Sequence, residues 1–113
     1  MNYEQALQVH EKQILEMRVA LNEKVKRWSY FKILQFKYMT GLCPGALISD
    51  AKGRKAIVSR VRCKWGMKRP EVFYRIIRSD GSIGVFDNEI LFSMEVWRVT
   101  GYEKDLTKLN NCG

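Results

Sequence analysis

The first 40 residues contain no glycine and no proline, the two residues that most often end a helix. From residue 2 to about residue 27, apolar side chains recur at spacings of three and four, which predicts an amphipathic helix with Asn2 as its N-cap. Acidic residues concentrate in its N-terminal half and basic residues in its C-terminal half, as the helix dipole favours. Such a helix would be about 39 Å long, more than a small sheet can cover.

One stripe of this helix repeats with a heptad-like phase. The stripe is formed by Leu7, His10, Ile14, Met17, Leu21 and Trp28. A monomer would leave much of this apolar surface uncovered, so we expect the helix to pair with a second copy in a homodimer, as a coiled coil or helical pair. The alternative is a helix that folds back along its own domain.

Residues 28–39 are apolar or aromatic on all sides, which is typical of a buried segment. The pattern fits either a second helix or an inner strand, and the sequence leaves both open. Gly41 and the pair Pro44-Gly45 end whichever element precedes them.

From Gly45 onward the apolar period changes to two, which predicts strands. We expect strands at residues 46–49, 55–65, 71–78, 83–86 and 94–99, with tight turns at 50–53 and 79–82 and one helical turn at 87–91. The expected fold class is α+β. Its parts are a helical N-terminal region over residues 1–40, a small antiparallel β domain over 41–102 and a polar tail over 103–113 that we expect to fray.

Between Lys52 and Arg69 the chain has eight basic residues and no acidic one, whereas the whole chain has 20 basic and 12 acidic residues. This segment therefore supplies the entire net charge of +8. Concentrated positive charge favours a phosphate-bearing or otherwise anionic partner. The alternative is a solvated hairpin whose lysines and arginines serve solubility and edge protection.

The predicted strand over residues 55–65 has one apolar and one mostly cationic face, which places Arg60, Arg62 and Lys64 in a row about 7 Å apart. Nucleic-acid phosphates have a similar spacing, so the row is suited to following a backbone. The predicted ligand-binding residues are Arg54, Arg60, Arg62, Lys64, Lys68, Arg69, Arg75 and Arg78. Trp65 and Tyr74 are the aromatic residues best placed to stack on a base.

Three cysteines, Cys43, Cys63 and Cys112, are widely spaced, and His10 is the only histidine. A disulfide framework cannot use all three cysteines and paired zinc ligands are missing, so we expect no metal and no cofactor. We expect Cys63 to be a small buried residue. No stretch approaches the roughly 20 apolar residues of a membrane span, and the N-terminus lacks a secretory signal pattern, so we expect a cytoplasmic protein without a membrane partner.

The sequence has no G-x-S-x-G, no Walker phosphate loop and no H-E-x-x-H. His10 lies in phase with the helix stripe, where packing explains it. The carboxylates that a nuclease would need for a metal, Asp80, Asp87 and Glu89, fall at turns and caps, where local backbone hydrogen bonds explain them. We therefore expect a binding protein and not an enzyme.

Three segments in order resemble parts of a small SH3-like β-barrel of the Tudor or KOW kind. Residues 44–50 (PGALISD) resemble the opening strand, residues 54–62 the second strand, and residues 74–85 (YRIIRSDGSIGV) with 87–91 the distal hairpin and the short turn before the last strand. The resemblance covers residues 45–99 and implies a barrel that binds nucleic acid, peptides or proteins without chemistry. The size, the helical N-terminus and the lack of a catalytic motif also resemble small phage proteins that interfere with host machinery.

Three functions fit these expectations. The leading one is non-catalytic binding of nucleic acid through a cationic face formed by a strand and a loop. The second is a phage anti-defence dimer that acts as a sponge for a nucleotide second messenger held between protomers. The third is an inhibitor that binds a host nucleic-acid-handling enzyme, with the basic run facing an acidic protein surface.

Overall fold

The computed structural model describes residues 2–105 of the chain. Helix α1 spans Tyr3–Thr40 and is followed by five strands. The strands are β1 (Ala46–Asp50), β2 (Lys55–Arg62), β3 (Glu71–Ile77), β4 (Asn88–Glu89) and β5 (Trp97–Tyr102). The α+β class and the order of a long helix followed by an antiparallel sheet are confirmed.

Helix α1 is a single element of 38 residues. Asn2 is its N-cap, because the Asn2 side chain accepts a hydrogen bond from the Gln5 N–H at 2.8 Å. The helix ends at Gly41, whose φ of 78° is left-handed and whose N–H donates to the Lys37 carbonyl at 2.8 Å. Residues 28–39 therefore belong to the same helix, which settles the choice that the sequence left open.

The five strands form one sheet in the order β4-β3-β2-β1-β5, with antiparallel neighbours. A bulge in β2 lies between Val58 and Arg60, where Ser59 has no partner in β3. Within residues 2–105 the two edge strands, β4 and β5, do not pair with each other. The sheet is open, so the closed SH3-like barrel that the resemblance implied is not confirmed.

Several predicted boundaries in the β domain are wrong. Residues 83–86 form only a single bridge between Ile77 and Ile83, and the segment expected as a helical turn contains β4. The turn lies later, where the Leu91 carbonyl accepts from the Glu95 N–H at 2.8 Å, and β5 begins at Trp97 instead of residue 94. Strand β2 ends at residue 62 and not at 65, because the chain turns around Gly66.

The core lies on one face of the sheet, called here the inner face. Its buried side chains are Leu42, Ala46, Ile48, Ala56, Val58, Val72, Tyr74 and Ile90. Helix α1 contributes Phe36, which packs edge-on against Phe92 at a centroid distance of 6.2 Å. The sheet therefore holds the core, and α1 joins it through its C-terminal third.

The rest of α1 extends away from the sheet. Residues 3–24, called here the arm, are exposed apart from the half-buried Ala6. The radius of gyration is 20.4 Å, against about 13 Å for a compact chain of roughly 100 residues. None of the helices in the described region combines the length and the apolarity needed to cross a bilayer.

Candidate functional site

The eight predicted ligand-binding residues do not converge on one surface, which corrects the expectation of a single cationic face. They divide among three places. Arg60, Arg62 and Arg75 lie on β2 and β3, Arg54 and Arg78 lie at the turns before β2 and after β3, and Lys64, Lys68 and Arg69 lie in the loop over residues 63–70, called here the basic loop.

Arg60 and Arg62 share the outer face of the sheet, opposite the core. Their guanidinium carbons lie 4.5 and 5.0 Å from the centre of the Phe73 ring, which both can contact by cation–π attraction. Arg62 also forms an ion pair with Glu71 at 2.8 Å. The predicted row of cations is thus present for these two residues, but it is partly neutralised and ends at Arg62.

Arg75 lies on the same outer face and pairs with Asp87. The Arg75 Nε lies 2.9 Å from Asp87 Oδ1, and the Ser59 hydroxyl donates to the same oxygen at 2.6 Å. Partial burial favours the neutral carboxyl, but the hydrogen bonds from Ser59 and Arg75 outweigh it and hold the Asp87 pKa below its ordinary value. This cluster therefore ties β2, β3 and the approach to β4 together.

Arg54 and Arg78 stabilise turns. Arg54 Nε lies 2.6 Å from Asp50 Oδ2, and the Arg54 guanidinium lies 5.2 Å from the centre of the Trp97 ring. Burial opposes ionisation of Asp50, yet its hydrogen bonds from Arg54 keep the Asp50 pKa below its ordinary value. Arg78 donates to the Ser82 hydroxyl at 3.3 Å within the hairpin turn.

The basic loop meets α1 and forms a groove with it. The groove encloses about 380 Å³ and is lined by Lys32, Gln35, Phe36, Met39, Thr40, Lys68, Arg69 and Pro70. Its lining contains three cations and no acidic residue. None of these three cations forms an ion pair with another residue in the 2–105 range. The groove therefore brings together three cations that have no acidic partner among the described residues.

Aromatic rings border the groove. Arg69 lies 4.7 Å from the centre of the Phe92 ring, and Lys32 Nζ lies 5.8 Å from the centre of the Trp28 ring. Trp28 in turn meets Trp65 edge-on at a centroid distance of 4.9 Å. Trp65 nevertheless remains 67% exposed, so one face of its ring is open to solvent.

The basic loop has a defined shape. The Met67 N–H donates to the Lys64 carbonyl at 3.1 Å. Gly66 lies between them with a left-handed φ of 87°, a conformation that is strained for a residue with a side chain. Cys63 anchors the start of the loop as a buried residue, as expected, and Pro70 is buried at its end. Burial raises the pKa of the Cys63 thiol, which stays neutral at physiological pH.

Of the two predicted stacking residues, only Trp65 has an exposed ring. The Tyr74 side chain is 5% exposed and packs against Trp97 at a centroid distance of 4.9 Å. Burial raises the pKa of the Tyr74 hydroxyl. A ring in the core cannot stack on a base, so a ligand role for Tyr74 does not fit the structure.

The groove residues of α1 were missed by the sequence reasoning. Lys32, Gln35, Phe36 and Met39 follow Trp28 at helical spacing, and this spacing was the available signal. The spacing alone does not identify these residues as one surface, because the pattern of residues 28–39 fits a strand as well as a helix. The part of the groove supplied by Lys68 and Arg69 was among the predicted ligand-binding residues.

The predicted interface stripe is exposed along the arm, at Leu7, His10, Ile14, Met17 and Leu21, while Trp28 is half-buried against Trp65. Self-association stays a prediction. Cys43 and Cys63 are free thiols, and Cys112 lies outside the described residues. In the described part of the chain no three His, Cys, Asp or Glu side chains cluster as metal ligands would.

Comparison with known proteins found no family model, no curated protein and no solved structure that matches this chain.

Proposed function

We propose that the protein is a non-catalytic binder of a flexible phosphate-bearing ligand, and that this ligand is single-stranded nucleic acid lying in the groove between α1 and the basic loop. The observation that carries the proposal is the meeting of Lys32, Lys68 and Arg69 in a groove without acidic residues. Uncompensated cations of this kind neutralise phosphates and release counterions.

The aromatic residues beside the groove favour a single strand over a duplex. Proteins that bind single strands combine a cationic groove with aromatic side chains on which unpaired bases stack. Trp65 offers an exposed ring next to Lys64, and Phe31 offers another on the adjacent turn of α1. In a duplex the bases are already stacked, so these rings would find no partner.

Fluorescence anisotropy with labelled single-stranded RNA, single-stranded DNA and duplex DNA tests the proposal. The variant Lys68→Glu/Arg69→Glu should weaken single-strand binding at least tenfold, a loss of about 1.4 kcal/mol or more. The matched control is Lys52→Glu/Arg98→Glu, which makes the same change in net charge at two exposed cations outside the groove. Equal losses in both variants would show that overall charge, and not the groove, binds the strand.

A free nucleotide is a second candidate ligand. The volume of the groove, about 380 Å³, lies within the range of small-molecule sites, about 300–1,000 Å³. Calorimetric titration with mono-, di- and cyclic nucleotides separates the two ligands. Saturable binding of a nucleotide together with no shift of any oligonucleotide would replace the nucleic-acid proposal with this one.

A further inference from the structure

The arm of α1 carries large apolar side chains that nothing in the described chain covers. Ile14 is 49% exposed and Leu21 is 62% exposed, although both belong to the stripe with the heptad-like phase. The arm is about 33 Å long at 1.5 Å per residue. A solvated apolar stripe of this length is typical of a helix that has a partner.

The stripe lies on the same side of α1 as the residues that meet the sheet. With 3.6 residues per turn, the stripe residues from Leu7 to Trp28 fall within an arc of about 100° that also includes Phe36. Trp28 contacts Trp65, and Phe36 contacts Phe92. The sheet therefore occupies this side of the helix at its C-terminal end, while the arm leaves the same side open at its N-terminal end.

We propose that the arm pairs with the arm of a second copy of this chain in the antiparallel orientation. A parallel pair would bring the two C-terminal halves of α1 together through the side that each sheet already occupies. An antiparallel pair overlaps the two arms only, and it places the sheets at opposite ends. The stripe is then covered without displacing the contacts at Trp28 and Phe36.

The charges of the arm and of the three residues that follow it favour the same orientation. Residues 2–16 contain Glu4, Glu11 and Glu16 but one cation, Lys12. Residues 17–27 contain one acid, Glu23, and four cations, which are Arg18, Lys24, Lys26 and Arg27. Antiparallel pairing sets the acidic half of each helix beside the basic half of its partner, whereas parallel pairing sets like charges together.

Mass measurement by analytical ultracentrifugation of the full chain tests the pairing. We expect a species of twice the 13.3 kDa protomer mass at high protein concentration. The variant Ile14→Glu/Leu21→Glu should be monomeric and retain its folded circular-dichroism spectrum, because both side chains are exposed in the protomer. The matched control Leu15→Glu/Val19→Glu changes equally exposed residues on the opposite side of the arm and should remain dimeric.

Carbodiimide cross-linking of the same full chain tests the orientation. Within one helix Glu4 lies about 30 Å from Lys24, too far for a zero-length cross-link. Cross-links from Glu4 to Lys24 or Lys26 must then join two antiparallel copies, and we expect to find them. A monomer at every concentration, a dimer that survives the stripe variant, or a dimer lacking these cross-links would overturn the proposal.

Discussion

At the scale of single residues, the cations of this protein differ by what lies opposite them. Arg62 has Glu71 and Arg54 has Asp50, whereas no carboxylate pairs with Arg69 among residues 2–105. A paired guanidinium has its charge compensated and serves the fold, so it adds little to the attraction of an anionic ligand. Charge alone therefore does not identify the binding residues: a candidate cation also needs to lack an acid partner and to line a groove, as Arg69 does.

The sequence predicted the cations but not which of them are paired. Asp87 contacts Ser59, which lies 28 positions away, and Arg75, which lies 12 positions away. Such pairs follow from the register of β2 against β3 and from the path after the hairpin, neither of which a single sequence specifies. Asp50 and Arg54 are only four positions apart, and that pair was within reach of local reasoning.

The Asp87 cluster predicts a pH-dependent contribution to stability. Because the folded pKa of Asp87 is depressed, its stabilisation is present above the unfolded value of about 3.9 and is lost as the pH falls through the folded value. Asp87→Asn should lower the free energy of unfolding at pH 7 by about 1 kcal/mol or less, as for a partly exposed ion pair. Thermal melts at neutral and acidic pH measure the difference.

The acidic melts supply the decisive comparison. The difference in melting temperature between wild type and Asp87→Asn should shrink as the pH is lowered below the unfolded value and the wild-type carboxyl becomes protonated as well. Glu89→Gln is the control, since Glu89 is exposed and forms no ion pair within residues 2–105. A deficit of the same size at both pH values would contradict the role of the Asp87 charge.

At the scale of elements, the sequence predicts where a helix or a turn lies better than it predicts which strands pair with each other. The cap at Asn2 and the hairpin turn at Asp80-Gly81 were predicted correctly, since each depends on residues within a few positions. The bulge at Ser59 was not predicted, and residues 83–86 do not form the strand that was predicted. Both features depend on the pairing of distant strands.

The junction between α1 and the sheet is held by a contact at Gly41. The Tyr102 hydroxyl donates to the Gly41 carbonyl at 2.9 Å, which links the end of the helix to β5. A Cβ at Gly41 would lie 2.9 Å from the same hydroxyl oxygen, and the φ of 78° would strain any side chain. Position 41 therefore favours glycine for two reasons: its backbone is left-handed, and the Tyr102 hydroxyl leaves little space for a Cβ.

Gly41→Ala should destabilise the protein by about 1–2 kcal/mol through the left-handed backbone, with a further loss from the contact with Tyr102. Gly53→Ala is the matched control, because Gly53 has a similar φ of 86° but no atom within 4 Å of its Cβ position. Chemical denaturation of both variants gives the two free energies. If both variants lose the same amount, the contact at Tyr102 contributes nothing.

At the scale of the whole molecule, a run of charge along the chain becomes scattered once the chain folds. The basic segment passes through β2, where its side chains meet Phe73 and Glu71, before it reaches the basic loop. The groove then adds Lys32 from α1, 36 positions before Lys68. The sequence could predict that the segment attracts anions, but only the fold places Lys68 and Arg69 in one groove with Lys32.

The salt dependence of binding to single-stranded nucleic acid tests the groove as the phosphate-binding site. For single strands the slope of log K against log salt is about −0.7 for each phosphate neutralised. Lys68→Gln/Arg69→Gln should therefore reduce the magnitude of the slope by about 1.4, whereas Lys52→Gln/Arg98→Gln should leave it unchanged. Equal slopes for wild type and the groove variant would contradict the assignment of the site.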